Sequence, residues 1–191
     1  ALRDALPDYA WDQKRNIDTL VGETLLSDQQ KWGCFLACAY ATDNPTLIRH
    51  MESAAAPALS EKAKLAAKMA ATLMAMNTVY YGAINLLSNH DYRAANANLS
   101  MTALSQTDVD KIDFELWAFA ISAMANCTAC LNVHEAELHK RGVTLERVQA
   151  ALRAQGIATS RKRVARLMRE RGLRSVRVKA RRPSLTQSVQ N

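Results

Sequence analysis

Apolar side chains recur along this chain every three to four residues, and this spacing predicts a succession of amphipathic helices. Several predicted helices open at start signals, because a side-chain oxygen or a proline suits the first turn. These signals are the capping box Ser27-Asp-Gln-Gln30, the pair Asn44-Pro45, Ser60 and Thr144. Two more helices are predicted over residues 111–125 and 127–141, and Gly142 stops the second of them.

Composition supports the same class of fold. Ala and Leu are abundant and the 191 residues include only 6 Gly and 4 Pro, so we predict an all-α domain. The longest helical pattern runs from Glu61 towards Leu87, with a break expected near Asn77, and residues 89–110 are predicted to be irregular. Residues 66–86 and 117–136 are similar Ala- and Met-rich patterns, which leaves open whether the domain contains two repeated helical halves.

Charge divides the chain unevenly. Residues 1–150 contain 13 Lys and Arg against 17 Asp and Glu, a net charge of −4. Residues 151–191 contain 12 Lys and Arg against one Glu, a net charge of +11. No apolar run reaches the roughly 18 residues that a membrane span requires. No basic and apolar signal segment opens the sequence, so we predict a cytoplasmic protein that does not associate with membranes.

The candidate chemistry lies in residues 126–134, which read N-C-T-A-C-L-N-V-H. On a helix that begins at or near Cys127, the side chains of Cys127, Cys130 and His134 share one face. Unpaired N–H groups and the partial positive charge at a helix N-terminus lower a cysteine pKa and favour the thiolate. His134, one turn beyond Cys130, can accept or donate a proton there.

Glu115 is the fourth candidate, twelve residues before Cys127. Along one straight helix that separation is about 18 Å. Glu115 can therefore approach the thiols only if the chain breaks near Ala125-Asn126, or if a second subunit supplies it. A buried carboxylate there is expected to act as a proton acceptor with a raised pKa.

Other interpretations of these residues remain open. Cys127, Cys130 and His134 could bind zinc, although no fourth ligand is close in sequence. Glu115 taken alone could be an exposed carboxylate at the start of a helix. Cys34 and Cys38 lie four residues apart on an apolar helix and are predicted to be buried core residues.

The stretch from Phe114-Glu115 through Asn126-Cys-Thr-Ala-Cys130 to His134-Glu135 resembles the alkyl hydroperoxidase AhpD family, within the carboxymuconolactone-decarboxylase-like fold. The resemblance covers residues 1–153. It implies an all-α, AhpD-like peroxidase domain that assembles as a homotrimer. It also implies an antioxidant, lipoyl-dependent alkyl hydroperoxide reductase without a metal or bound cofactor.

By this resemblance Cys130 attacks the hydroperoxide, Cys127 resolves the product to a disulfide, and Glu115 with His134 relays protons. Dihydrolipoamide, carried on a 2-oxo-acid dehydrogenase component, is the implied reductant, and a peroxiredoxin is a further implied partner. Some family members have a histidine between the two cysteines, where this chain has Ala129. A disulfide reductase or a decarboxylase-like protein of related fold is the alternative.

Residues 154–191 do not resemble this family. Their basic runs resemble the helix-turn-helix region of insertion-sequence transposases, which divides the chain into domains at 1–153 and 154–191. Such a tail could bind nucleic acid through Arg161, Lys162, Arg163 and Arg166. An accidental fusion without a selected role is the preferred interpretation, so nucleic acid is not an expected partner, and the end of the tail is predicted to be disordered. A fusion could also impair folding and activity.

Overall fold

The structure, a computed structural model, describes residues 3, 4 and 6–154. They form α-helices and two short 3-10 turns at Asp8–Ala10 and Thr102–Leu104. The helices are α1 (Trp11–Val21), α2 (Asp28–Ala41), α3 (Pro45–Ala55), α4 (Glu61–Leu86), α5 (Asp91–Ala94), α6 (Lys111–Met124), α7 (Thr128–Lys140) and α8 (Leu145–Ala154). The all-α prediction is confirmed. The predicted basic tail, with Arg161, Lys162, Arg163 and Arg166, lies outside the described residues.

Three of the predicted capping signals are confirmed. Ser27 and Gln30 make a reciprocal capping box, Asn44 accepts hydrogen bonds from two backbone N–H groups, and Ser60 accepts one from Ala63. Two helices differ from the prediction. The α4 helix continues without a break through Asn77, whose side chain is buried, and α1 has no counterpart in the sequence prediction. Because residues 66–86 lie in one helix and residues 117–136 span two, the two stretches of the suspected repeat have different backbones.

The α6 helix lies at the centre of the core and packs against α2, α4, α7 and α8. Every side chain of residues 113–122 is buried. Gly33 of α2 lies against the Trp117 ring so closely that a Cβ at this position would overlap the indole. The indole N–H of Trp117 donates to the Gln30 carbonyl at 3.1 Å, so both packing and hydrogen bonding fix α6 against α2.

The first turn of α6 is held by a buried polar cluster. Both carboxylate oxygens of Asp113 accept hydrogen bonds, from Gln30 at 2.8 Å and from Gln29 at 2.6 Å. Arg147 of α8 donates to the side-chain oxygen of Gln30 at 2.8 Å. The cluster therefore joins α2, α6 and α8 at the end of α6 that carries Glu115.

No helix within the described part of the chain is long and apolar enough to cross a membrane.

Candidate active site

A sharp reversal between α6 and α7 brings the predicted residues together. Asn126 adopts a left-handed conformation, with φ of 54°, which asparagine tolerates better than most residues. The N–H of Cys127 donates back to the Ser122 carbonyl at 3.1 Å, so the chain turns tightly and α7 packs on α6. The predicted break near Ala125-Asn126 is confirmed.

Cys127 and Cys130 form a disulfide at the beginning of α7. Cys127 is the N-cap residue, and its sulfur accepts a hydrogen bond from the Cys130 N–H at 3.3 Å. The Cys127 side chain is 1% exposed and that of Cys130 is 6% exposed. Both residues are buried, Cys130 slightly less so, and Cys127 is the one whose sulfur a helix N-terminal amide contacts.

Glu115 and His134 meet in the interior although 19 residues separate them. The Nδ1 atom of His134 lies 2.6 Å from Oε2 of Glu115, and both side chains are buried. His134 follows Cys130 by four residues and shares its face of α7. The alternative that Glu115 is an exposed carboxylate is therefore wrong.

Lys111, which is partly exposed, also contacts Glu115 and was not predicted. Its Nζ atom lies 2.9 Å from Oε1 of Glu115 and also donates to the Leu104 carbonyl at 2.5 Å. The spacing of four residues between Lys111 and Glu115 on one helix was the sequence signal for this pair. Lys111 thus connects the Thr102–Leu104 turn to Glu115.

The expected rise in the pKa of Glu115 is wrong. Burial raises this pKa, but hydrogen bonds and charge from His134 and Lys111 outweigh burial and hold it below the ordinary carboxyl value. Glu115 is therefore an anion at neutral pH. An anionic carboxylate accepts, so Nδ1 of His134 is the protonated donor, and Nε2 is the nitrogen that can exchange a proton in a neutral imidazole.

Cys34 and Cys38 do not belong to this site. Both are fully buried free thiols in α2, as predicted. Burial raises the pKa of Cys38 to about 12 and that of Cys34 well above its usual value, so neither is a thiolate at neutral pH.

The disulfide also bears on the zinc interpretation. In this oxidised state Cys127 and Cys130 are bonded to each other and are not thiolate ligands. Among the described residues, no group of three or more His, Cys, Asp and Glu side chains is arranged to hold a metal ion.

Comparison with known proteins identifies similar chains. The profile of the carboxymuconolactone decarboxylase family matches residues 90–169, which include the four site residues and extend beyond the predicted domain boundary at residue 153. The alkyl hydroperoxide reductase AhpD of Hyphomonas neptunium is 46% identical over 163 residues, which are 85% of this chain and 91% of that protein. The AhpD protein of Maricaulis maris is 46% identical over 80% of this chain and 88% of that protein. The AhpD protein of Streptomyces coelicolor is 45% identical over 80% of this chain and 86% of that protein.

Proposed function

Since this chain belongs to the AhpD family of alkyl hydroperoxide reductases, we propose that it reduces organic hydroperoxides with the thiols of Cys127 and Cys130. The observation that carries this proposal is the Cys127–Cys130 disulfide at the start of α7, the helix that also carries His134 in contact with buried Glu115. A dithiol that closes to a disulfide releases the two electrons that reduction of a peroxide requires.

Cys130 is the proposed nucleophile, as the family resemblance implies, and it is the slightly more exposed residue of the pair. Its thiolate attacks the terminal oxygen of the hydroperoxide, and the O–O bond breaks. The alkoxide takes up a proton and leaves as an alcohol, while Cys130 becomes a sulfenic acid. Cys127 then attacks the oxidised sulfur, the disulfide forms, and the hydroxyl group leaves with a proton as water.

Glu115 and His134 are proposed to manage the protons of this reaction. Anionic Glu115 accepts from Nδ1 of His134 and fixes the ring and its tautomer. Nε2 then removes the proton of the Cys130 thiol, directly or through Cys127 and a water molecule. It later returns a proton to the leaving oxygen. Lys111 positions Glu115 and keeps it ionised.

Reduction of the disulfide is also proposed to begin at Cys130, the more exposed residue of the pair. A dihydrolipoyl thiolate attacks Cys130, and Cys127 leaves as a thiolate that the Cys130 N–H stabilises. The second thiol of the reductant then resolves the mixed disulfide, which leaves oxidised lipoyl and the enzyme dithiol. The proposed carrier is the lipoyl component of a 2-oxo-acid dehydrogenase, and a peroxiredoxin disulfide is a second proposed partner.

Three variants test these roles in dihydrolipoamide-dependent reduction of tert-butyl hydroperoxide. Cys130→Ser is expected to lower turnover at least about a hundredfold, because no nucleophile remains at that position. Cys127→Ser is expected to block turnover but to consume one equivalent of peroxide and to leave a sulfenic acid that a dimedone probe labels. Cys34→Ala, which removes a buried thiol outside the site, is the matched control and should retain turnover.

Full turnover in Cys130→Ser would refute the assignment. Oxidation of the dithiol by protein disulfides but not by hydroperoxides would instead identify a disulfide reductase. Oxidation by neither would favour a decarboxylase-like role.

A further inference from the structure

A cavity of about 430 Å³ lies at the C-terminal end of α4. Its walls are the C-terminal part of α4, the short helix α5 and residues 95–101, and it reaches Ala129 in the first turn of α7. Ala129 lies between the two cysteines in sequence and directly precedes Cys130. The volume is in the range of sites that bind small organic molecules. Neither cysteine lines the cavity, but Ala129 brings one side of it to the residue that precedes Cys130.

The lining of this cavity combines apolar surface, the amide side chains of Asn85, Asn96 and Asn98, and one charge. Tyr81 and Ile84 of α4, together with Met101, supply apolar and aromatic side chains. Arg93 of α5 is the one charged residue among those that line it. One Nη atom of Arg93 donates to the Asn85 carbonyl at 3.3 Å, which ties the side chain to the end of α4.

Arg93 retains donors for a ligand. A guanidinium carries five N–H groups in a planar fork that matches a carboxylate, and the bond to Asn85 uses only part of that fork. An arginine in a cavity that also offers the apolar side chains of Ile84 and Met101 fits a molecule with a hydrocarbon chain and an anionic end. A neutral hydroperoxide would contact these side chains but would have no anionic group for Arg93.

We propose that this cavity binds the organic part of the substrate and that Arg93 selects hydroperoxides of long-chain carboxylic acids by pairing with the carboxylate. The inference rests on the proposed peroxidase function and adds a substrate class and a specificity-determining residue. Arg93 acts in binding, while Cys130 performs the chemistry already described. The chemical class defined by these contacts is an acyl chain that carries both a hydroperoxide and a free carboxylate.

The test compares a hydroperoxide of an unsaturated fatty acid with its methyl ester, since the two differ only in the charge of the carboxyl end. For the natural chain we expect kcat/KM to be about threefold to tenfold higher for the acid, the range for a partly exposed charge-assisted contact. Arg93→Gln should bring this ratio close to one by lowering kcat/KM for the acid. Arg93→Lys should keep part of the preference, because the positive charge remains.

Arg49→Gln is the matched control. It removes another exposed arginine, on α3 and outside the cavity lining, and should leave the ratio of acid to ester unchanged. An equal ratio in the natural chain and in Arg93→Gln would overturn the inference, as would a natural chain that reduces the acid no faster than the ester.

Reduction of tert-butyl hydroperoxide distinguishes a failure of the substrate inference from a failure of the proposed peroxidase function. This small neutral substrate has no carboxylate for Arg93 to bind. If the natural chain reduces it but shows no preference for the acid, only the substrate inference fails. If the natural chain reduces none of the three compounds, the proposed peroxidase function fails and the inference fails with it.

Discussion

The charge of Glu115 depends on two side chains that contact different oxygens of its carboxylate. Oε2 lies 2.6 Å from Nδ1 of His134 and Oε1 lies 2.9 Å from Nζ of Lys111. A carboxylate buried without partners would be costly and would take up a proton. With both partners the anion is retained, so Glu115 serves as a fixed negative charge that orients His134 and does not itself need to carry the proton.

Glu115 should therefore stabilise the protein in a pH-dependent way. Its pKa in the folded state is below the ordinary carboxyl value of 4.5, so the folded state favours the anion. That stabilisation is present above pH 4.5 and is lost as the pH falls through the folded-state pKa. Glu115→Gln is expected to lower the free energy of unfolding by about 2 kcal/mol at pH 7, where charged hydrogen bonds are lost.

Urea unfolding between pH 3 and pH 7 measures this effect. The difference between the natural chain and Glu115→Gln should shrink as the solution becomes acidic. Glu135→Gln, which changes a half-exposed glutamate on α7, is the control and should show a smaller difference throughout. A difference that stayed constant or grew towards low pH would contradict the assignment of a depressed pKa.

At the scale of helices, the site depends on where α6 lies and how α7 folds back on it. Gly33 permits the close contact of α2 with Trp117, two residues after Glu115. Gly33→Ala would place a methyl group inside the indole ring, and Trp117 is fully buried, so α2 and α6 must separate. We expect a loss of stability of about 1–3 kcal/mol, the usual cost of overpacking, and lower peroxidase turnover.

Thermal unfolding of Gly33→Ala beside Gly82→Ala checks this prediction. Gly82 lies inside α4, and a Cβ added there meets no atom within 4 Å. Gly82→Ala should leave stability unchanged or raise it by about 0.5–1 kcal/mol, because alanine favours a helix interior. Similar effects of the two substitutions would show that contact with Trp117 is not the cause.

Local signals predicted much of the helical framework, and long-range contacts explain what was missed. Ser27 and Ser60 predicted helix starts because capping uses atoms within a few residues. The helix break at Asn126 was predicted from the two helical patterns on either side of it, and Glu115 could reach Cys127 within one subunit only with such a break. The continuation of α4 through Asn77 was missed because tertiary packing overrides a weak local preference.

The pKa of Glu115 was predicted with the wrong sign for a related reason. Burial was anticipated, and burial by itself raises a carboxyl pKa. The outcome depends on the simultaneous approach of His134 from α7 and Lys111 from α6. The Lys111–Glu115 spacing was visible in the sequence, but the depth at which the pair lies was not, because depth is set by the packing of several helices.

For the whole molecule, α4 presents an apolar surface to solvent. Leu65, Val79 and Leu86 lie at multiples of seven residues along α4 and are 59%, 72% and 89% exposed. That spacing places them along nearly one line of the helix. Exposed apolar side chains aligned in this way are typical of surfaces that another chain covers. The homotrimer that the family resemblance implies stays a prediction.

We therefore expect charge on this surface to separate the subunits. If copies of this chain assemble through this surface, Val79→Glu combined with Leu86→Glu should shift the particle mass towards that of one chain, because burying two carboxylates against apolar partners is costly. Size-exclusion chromatography with light scattering measures the mass. Leu145→Glu, the same change at a leucine of α8 that is 65% exposed, is the control and should leave the mass unchanged.

The same mass measurement on a chain that ends at Gln155 tests the influence of the basic residues beyond it. If residues 79 and 86 lie in the contact between copies, the natural chain and the shortened chain should both lose mass on the double substitution. A trimer that survives the two charges would place the contact elsewhere. A mass that changes only with the shortening would assign assembly to the residues after Gln155, and the apolar line of α4 would then have another partner.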